Sequence, residues 1–272
     1  MGVATGAGRG IGRACAERLA TQVDTLVLVD RDPDGLSDAA AALGDLTMVI
    51  SADLDVTDGD AVHALAGEIG AMGSLRGIAH AAGISPTMAD WRRVLHVDLV
   101  GTAILIDALT PFVEPGTAAV CFASMASQLM LATGDPVVDP VLDDPLHPEF
   151  LDRMRAAVGD NLEDTGFAYS WAKRGVQRLV RRESLRWGPL GGRICSVSPG
   201  MIDTPQGRQE AASQPAMAAM LEITPLRREG EASEIAALVA FLVSDEASFM
   251  TGCDVLIDGG VCAAVEAMAQ AG

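Results

Sequence analysis

Thr5-Gly6-Ala7-Gly8-Arg9-Gly10-Ile11-Gly12, entered from a short strand at residues 2–5 and left through an apolar-periodic stretch from about Arg13 to Ala20, carries the most information about the architecture. A short strand, a glycine loop and a helix form the arrangement that cradles phosphate groups. The glycine spacing discriminates between versions of it. G-x-G-x-x-G would need glycine at Ile11 or Arg13, whereas G-x-x-x-G-x-G is satisfied by Gly6, Gly10 and Gly12. Glycines there permit positive φ and let backbone N–H groups approach a pyrophosphate at the helix N-terminus.

Working outward, Thr25 to Val29 is a fully apolar run, as expected of a parallel strand buried on both faces. Asp30 ends it, eighteen residues beyond Gly12, where an acidic side chain accepts a hydrogen bond from an adenosine ribose 2′-hydroxyl. Asp32, just before Pro33, reads instead as a helix N-cap. The pattern continues with helix 36–43, strand 46–52, a turn through Asp53-Leu54-Asp55-Val56, helix 60–70 and strand 76–80. A helix from Trp91 to about Pro111 follows, with Val94, Val97, Leu99 and Leu105 facing inward. Strand 118–123 delivers Ser124, and after helix Phe167 to Trp187 come strand Arg193 to Val197, helix Ser233 to Leu242 and strand Val255 to Ile257. This rhythm predicts an α/β chain folded as one domain over residues 1–272: a doubly wound, seven-stranded parallel sheet with helices on both faces. Ligands bind such sheets at the strands' carboxyl ends, where Gly6, Asp30, Gly83, Ser124 and Pro199-Gly200 all fall. The Asp- and Pro-rich stretch 133–165 breaks the rhythm, carrying a short helix around Glu149 to Val158. A connection of that length is usually functional, and it is expected beside the substrate mouth.

Composition excludes several classes. Of 272 residues 49% are apolar and 21% charged, which suits a globular chain with a large core. A net charge of −18 opposes binding to nucleic acid or an anionic membrane. No uncharged apolar run reaches the roughly 18 residues a spanning helix needs, and Met1 leads straight into the glycine loop, so a cytoplasmic protein is expected. The five cysteines are odd in number, widely spaced and mostly within apolar runs, which reads as reduced core thiols. The histidines show no metal-ligand spacing, so no metal is expected.

Tyr169 is the only tyrosine and Lys173 the only lysine. Scattered at random, the two would take this order and spacing about once in 270 placements, a figure set by chain length. On a helix, i and i+4 share a face. A lysine ammonium there favours the phenolate, lowering a tyrosine pKa from about 10 toward working pH and forming an acid–base pair.

With these residues in hand, the chain resembles the short-chain dehydrogenase/reductase family over its whole length, with a single Rossmann domain implied. The glycine loop, Asp30, Ser124, Tyr169-x-x-x-Lys173, Pro199-Gly200-Met201-Ile202-Asp203-Thr204 and Asp258-Gly259-Gly260 occur in the family's order. The resemblance implies that Tyr169 moves the hydroxyl proton, that Lys173 holds the nicotinamide ribose and depresses the tyrosine pKa, and that Ser124 hydrogen-bonds the substrate oxygen. It assigns cofactor contacts to Gly6, Arg9, Gly10, Ile11 and Gly12, to Asp30 and Arg31, and to Asp53, Leu54, Asp55 and Val56 around the adenine, Asp55-Val56 giving the better alignment. Ala82, Gly83, Tyr169, Lys173, Pro199 and Gly200 follow, with Ile202 and Thr204 on the carboxamide. Asp98 stands where the family usually carries a catalytic asparagine, and His80-Ala81-Ala82-Gly83 where it carries Asn-Asn-Ala-Gly. The long segment before Tyr169 and the Ile257-to-Gly260 ending are similar to the 3α-hydroxysteroid dehydrogenase/carbonyl reductase branch.

The implied activity is NAD-dependent interconversion of a secondary alcohol and a ketone, NAD being preferred because Asp30 would repel a 2′-phosphate. The alternative is a dinucleotide-binding sensor or scaffold without turnover. Met125 to Leu131 and Pro215 to Leu226 should wall the substrate pocket, and their methionines suit a bulky apolar alcohol or ketone such as a hydroxysteroid. A homodimer or homotetramer is expected.

Overall fold

The computed structural model describes residues 1–130, 134–214 and 216–271. Leu131, Thr133 and Pro215, which bound three of the segments above, lie outside the described residues. Among the described residues nine strands occur in chain order: β1 Gly2–Thr5, β2 Thr25–Asp30, β3 Met48–Asp53, β4 Gly77–His80, β5 Ala118–Phe122, β6 Arg193–Pro199, β7 Ile202–Asp203, β8 Gly230–Glu231 and β9 Asp254–Ile257. Seven make one parallel sheet in the order β3-β2-β1-β4-β5-β6-β9, and β7 and β8 pair separately. The strand order reverses between β1 and β4, and a crevice opens at the carboxyl ends of those two strands.

Alternation along β2 shows why the sheet is doubly wound. Val27 and Val29 pack into one core with the helices Gly59–Met72, Thr102–Leu109 and Thr165–Trp187. Leu26 and Leu28 point the other way, into a core shared with the helices Gly10–Leu19, Pro33–Leu43 and Ala232–Val243. Successive strand residues face opposite sides, so a strand buried on both faces must be apolar throughout. Truncating a side chain as buried as Leu28 to alanine removes about 2–5 kcal/mol.

Most boundaries shift by one or two residues from the sequence reading, and three elements differ by more. The first helix begins at Gly10 rather than Arg13, because Arg9 takes an extended N-cap conformation and the loop turns directly into the helix. The second begins at Pro33 rather than 36, capped by Asp32, which accepts from the Gly35 N–H at 3.2 Å. The helix expected from Trp91 to Pro111 is not uniform: Trp91–Leu95 is α, His96–Gly101 is a π-helical turn and Thr102–Leu109 is α again. The π turn places Asp98 inward, and such turns recur at functional sites. The 22 residues Trp91–Phe112 are long and apolar enough to cross a membrane, but Leu95, Leu99, Ile106 and Leu109 are sealed in the core.

The segment before the Tyr169 helix is fastened by arginines on that helix. Arg174 meets Asp139 at 2.7 Å, and Arg178 meets Asp139 at 3.0 Å and Asp143 at 2.6 Å. Val138, Leu142, Phe150, Met154 and Leu162 add to the main core. Met130 and Gly166, at its two ends, line the crevice; among the described residues none from 134 to 165 does.

Candidate active site

The crevice encloses about 480 Å³. At its floor, Gly6 has φ +64°, and a Cβ there would stand 2.9 Å from the Ala81 carbonyl oxygen. A Cβ on Gly12 would stand 2.1 Å from the Gly6 carbonyl oxygen. No side chain fits at either position, so loop and helix close tightly and the unbonded N–H groups of the first helical turn face the crevice. Asp30, at the end of β2, accepts from the Gly8 N–H at 2.9 Å and the Asp32 N–H at 3.1 Å, which ties its carboxylate to the loop. Arg9, Gly10, Ile11 and Arg31 line the same wall. Opposite them, a Cβ on Gly10 would touch Thr204 at 3.6 Å, so Thr204 faces the loop across the crevice. Thr204 also caps the helix Pro205–Ser213, accepting from the Gly207 N–H at 2.9 Å. Pro199, Gly200 and Ile202 complete that side; Gly200 lies so close to Asp258 that a Cβ would come within 2.6 Å of its Cα.

Leu54, Asp55 and Val56 line the crevice at the β3 end, and Asp53 lies outside its lining. The Asp55 carboxylate is already engaged, accepting from Arg93 at 2.5 Å and from the Thr57 hydroxyl at 2.7 Å. Burial pushes its carboxyl up, but the Thr57 and Arg93 hydrogen bonds outweigh that and hold it at about 2. Arg93 was not anticipated, since nothing local links it to a residue 38 positions away.

Ser124 follows β5 and lines the crevice together with Tyr169, and its hydroxyl accepts from the Ala126 N–H at 3.2 Å. The Lys173 ammonium donates to the Phe122 carbonyl at 3.0 Å and approaches Asp98 Oδ1 at 3.4 Å; it lies 5.3 Å from the Tyr169 ring centre. The depressed tyrosine expected from the i, i+4 lysine is not what this geometry produces. Burial raises the Tyr169 pKa, the charges of Asp98 and Glu210 raise it further, and the Ser124 hydroxyl only partly opposes them. The lysine's charge is directed at Phe122 and Asp98 rather than at the phenol.

Asp98 lies behind the crevice, its side chain fully buried. Oδ1 accepts from the Ile84 N–H at 3.0 Å, and among the described residues Oδ2 has no hydrogen-bond partner. Burial raises its carboxyl above the ordinary range against the pull of Lys173 and Ile84. Ala82 and Gly83 line the crevice in front of it, and a Cβ on Gly83 would stand 2.6 Å from Oδ1.

His80 supplies a connection that the sequence did not reveal. Ala82 N–H donates to Thr5 Oγ1 at 3.0 Å, Thr5 Oγ1 is 2.8 Å from His80 Nδ1, His80 Nε2 is 2.9 Å from Thr102 Oγ1, and Thr102 donates to the Asp98 carbonyl at 2.8 Å. Thr102 gives its one proton to Asp98, so Nε2 must carry the histidine proton, Nδ1 accepts, and Thr5 donates to it. Burial drives the His80 pKa down to about 3, with the Lys173 charge adding to it, and the imidazole is neutral.

This constellation is shared with known proteins. The family model described as enoyl-(acyl carrier protein) reductase matches residues 6–137 and 155–262. A short-chain dehydrogenase/reductase of Alternaria brassicicola is 31% identical over 96% of this chain and 95% of its own length. The chain belongs to the short-chain dehydrogenase/reductase family. The cis-4-hydroxycyclohexanecarboxylate dehydrogenase of Sinomonas cyclohexanicum is 32% identical over 97% of this chain and 96% of its own length. The crystal structure of levodione reductase superimposes with a TM-score of 0.75 at 28% identity, covering 96% of this chain and 97% of that one. The 3α-hydroxysteroid dehydrogenase/carbonyl reductase of Comamonas testosteroni is also similar, at 28% identity over 95% of each chain. Residues 138–154, outside the family match, fall within the segment clamped by Arg174 and Arg178. Members of this family bind a nicotinamide dinucleotide, and the residues present fit one: Gly6, Gly10, Gly12, Asp30 and Thr204 line one crevice, with the loop closed tightly onto the helix behind it.

Proposed function

We propose that the chain is an NAD-dependent dehydrogenase/reductase that interconverts a bulky, mostly apolar secondary alcohol with its ketone. The observation that carries this reading is the convergence of Tyr169, Ser124 and Lys173 on a crevice walled on its far side by the glycine loop and Asp30. A bound nicotinamide dinucleotide would supply or take the hydride. Ser124 would hydrogen-bond the substrate oxygen, and Tyr169, whose raised pKa keeps it protonated near neutrality, would give that oxygen its proton during reduction; in oxidation it would first release its own proton to solvent and then, as the phenolate, accept the alcohol proton. Lys173 would fix the ribose side of the site, held in place by Phe122 and Asp98. NAD is favoured because the Asp30 carboxylate, turned onto the loop through Gly8, stands where an added ribose phosphate would meet like charge.

The substrate class rests on the crevice wall contributed by Met88, Met125, Met130, Met217 and Met220, side chains that mould to irregular apolar ligands. The names of the Sinomonas and Comamonas relatives, which specify a hydroxycyclohexane ring and a hydroxysteroid, agree with a cyclic alcohol. Arg208 is exposed and paired with Asp203, which leaves it out of the crevice. The test is NADH formation from NAD⁺ with a panel of cyclic secondary alcohols, short hydroxy acids and polyols. The reading holds if cyclic apolar alcohols lead in kcat/KM, and it fails if hydroxy acids or polyols lead by tenfold, about 1.4 kcal/mol of transition-state preference.

A further inference from the structure

Glu210 introduces a charge into a crevice whose lining includes Met88, Met125, Met130, Met217 and Met220. It sits on the helix Pro205–Ser213, lines the crevice and is half-buried. Among the described residues it forms no ion pair and no side-chain hydrogen bond; Arg208, on the same helix, is paired outward with Asp203. The cations that do line the crevice are accounted for elsewhere. Arg9 and Arg31 adjoin the glycine loop and Asp30, Arg93 is bonded to Asp55, and Lys173 to Phe122 and Asp98. The polar side chains nearest to it along the chain that share this lining, Gln206 and Gln214, are neutral. Glu210 is also close enough for its charge to act on Tyr169. A half-buried carboxylate without a partner is unfavourable in an apolar wall, and a ligand donor that bonds it removes that penalty.

Resting on the alcohol/ketone reading above, we propose that Glu210 is a specificity-determining residue: it selects substrates whose end remote from the reacting carbon carries a hydrogen-bond donor, above all a protonated amine, and rejects those carrying a carboxylate there. The carboxylate accepts two or more hydrogen bonds and donates none, so an ammonium gains both charge and hydrogen bond, a methyl gains neither, and a second carboxylate meets repulsion in a site sheltered from solvent. This separates the chain from the Sinomonas relative, whose name specifies an acid.

The experiment uses the full chain with NAD⁺ at neutral pH and three ring alcohols of matched size: 4-aminocyclohexanol, 4-methylcyclohexanol and 4-hydroxycyclohexanecarboxylate. In the wild type, kcat/KM for the amine should exceed that for the methyl compound by tenfold or more, and the acid should fall tenfold or more below it. Glu210→Gln should bring both ratios at least fivefold closer to one, and Glu210→Asp should restore part of the amine preference. Ratios that do not respond to Glu210→Gln, or a wild-type preference for the acid, overturn the proposal while oxidation of the methyl compound leaves the alcohol reading standing. No oxidation of any of the three defeats that reading and this proposal with it.

Discussion

Lys173 Nζ lies 3.4 Å from Asp98 Oδ1, with the two side chains 7% and 0% exposed, and the second oxygen of Asp98 has no hydrogen-bond partner among the described residues. A buried ion pair is only as favourable as its remaining hydrogen bonds allow, and this one is incomplete. Burial raises the Asp98 carboxyl, so the folded state holds its proton to higher pH than the unfolded chain does. The sign follows from linkage: as pH rises above the ordinary carboxylate value, the unfolded chain releases that proton first and the fold loses stability. Asp98→Asn keeps an oxygen for the Ile84 N–H and removes the titration. The Tm of the variant relative to wild type should therefore climb between pH 4 and pH 8, at about 2–4 °C per kcal/mol for a chain of this size class. A difference that stays flat or falls with pH would show Asp98 to be ionised at little expense.

His80 should titrate in the opposite sense. Its folded pKa is near 3 against 6.5 unfolded, so its contribution to stability is complete above about pH 6.5 and is lost as pH falls toward 3. The steepest slope from this one group is about 1.4 kcal/mol per pH unit. Nitrogen-detected NMR should find a single neutral tautomer, protonated at Nε2, at every pH where the protein is folded. Protonation of His80 above pH 6, or an Nδ1–H tautomer, would break the chain from Thr5 to Asp98.

Tyr169→Phe should lower kcat by 10²–10⁴-fold, the usual worth of a positioned acid–base group, while NADH binding stays within a few-fold. Lys173→Ala should damage both, since it removes the ammonium held between Phe122 and Asp98. A Tyr169→Phe enzyme that keeps about a tenth of the wild-type rate would remove Tyr169 from the proton transfer.

Cofactor choice tests Asp30. Wild-type kcat/KM should favour NAD⁺ over NADP⁺, and Asp30→Ser should narrow the ratio tenfold or more, with Arg9 and Arg31 left free to meet the extra phosphate. Equal or better use of NADP⁺ by the wild type would reverse the assignment.

A homo-oligomer, a dimer ahead of a tetramer, is expected in solution. Leu185 on the Tyr169 helix is 77% exposed, and Phe249 and Leu256 stand open beside the β9 edge of the sheet, a pattern of exposed apolar side chains that suits burial against another copy. Light scattering that returns the monomer mass at micromolar concentration would contradict it.

The sheet, its doubly wound layers, the glycine loop and the candidates Asp30, Ser124, Tyr169 and Lys173, which share one crevice, were legible in the sequence. Each of these is carried by local geometry: a period of two along Leu26 to Val29, a positive φ at Gly6, a four-residue step from tyrosine to lysine. Tertiary structure decided what those groups experience. Whether Lys173 acts on Tyr169 or on Asp98 depends on a helix that crosses behind it 75 residues earlier in the chain. The same holds for Arg93 on Asp55, for the Thr5–His80–Thr102 chain and for Glu210, charged or polar groups brought together across strands and helices far apart in sequence. Local spacing cannot encode such meetings, because the desolvation that raises Tyr169 and Asp98 and lowers His80 exists only once the surrounding core has closed.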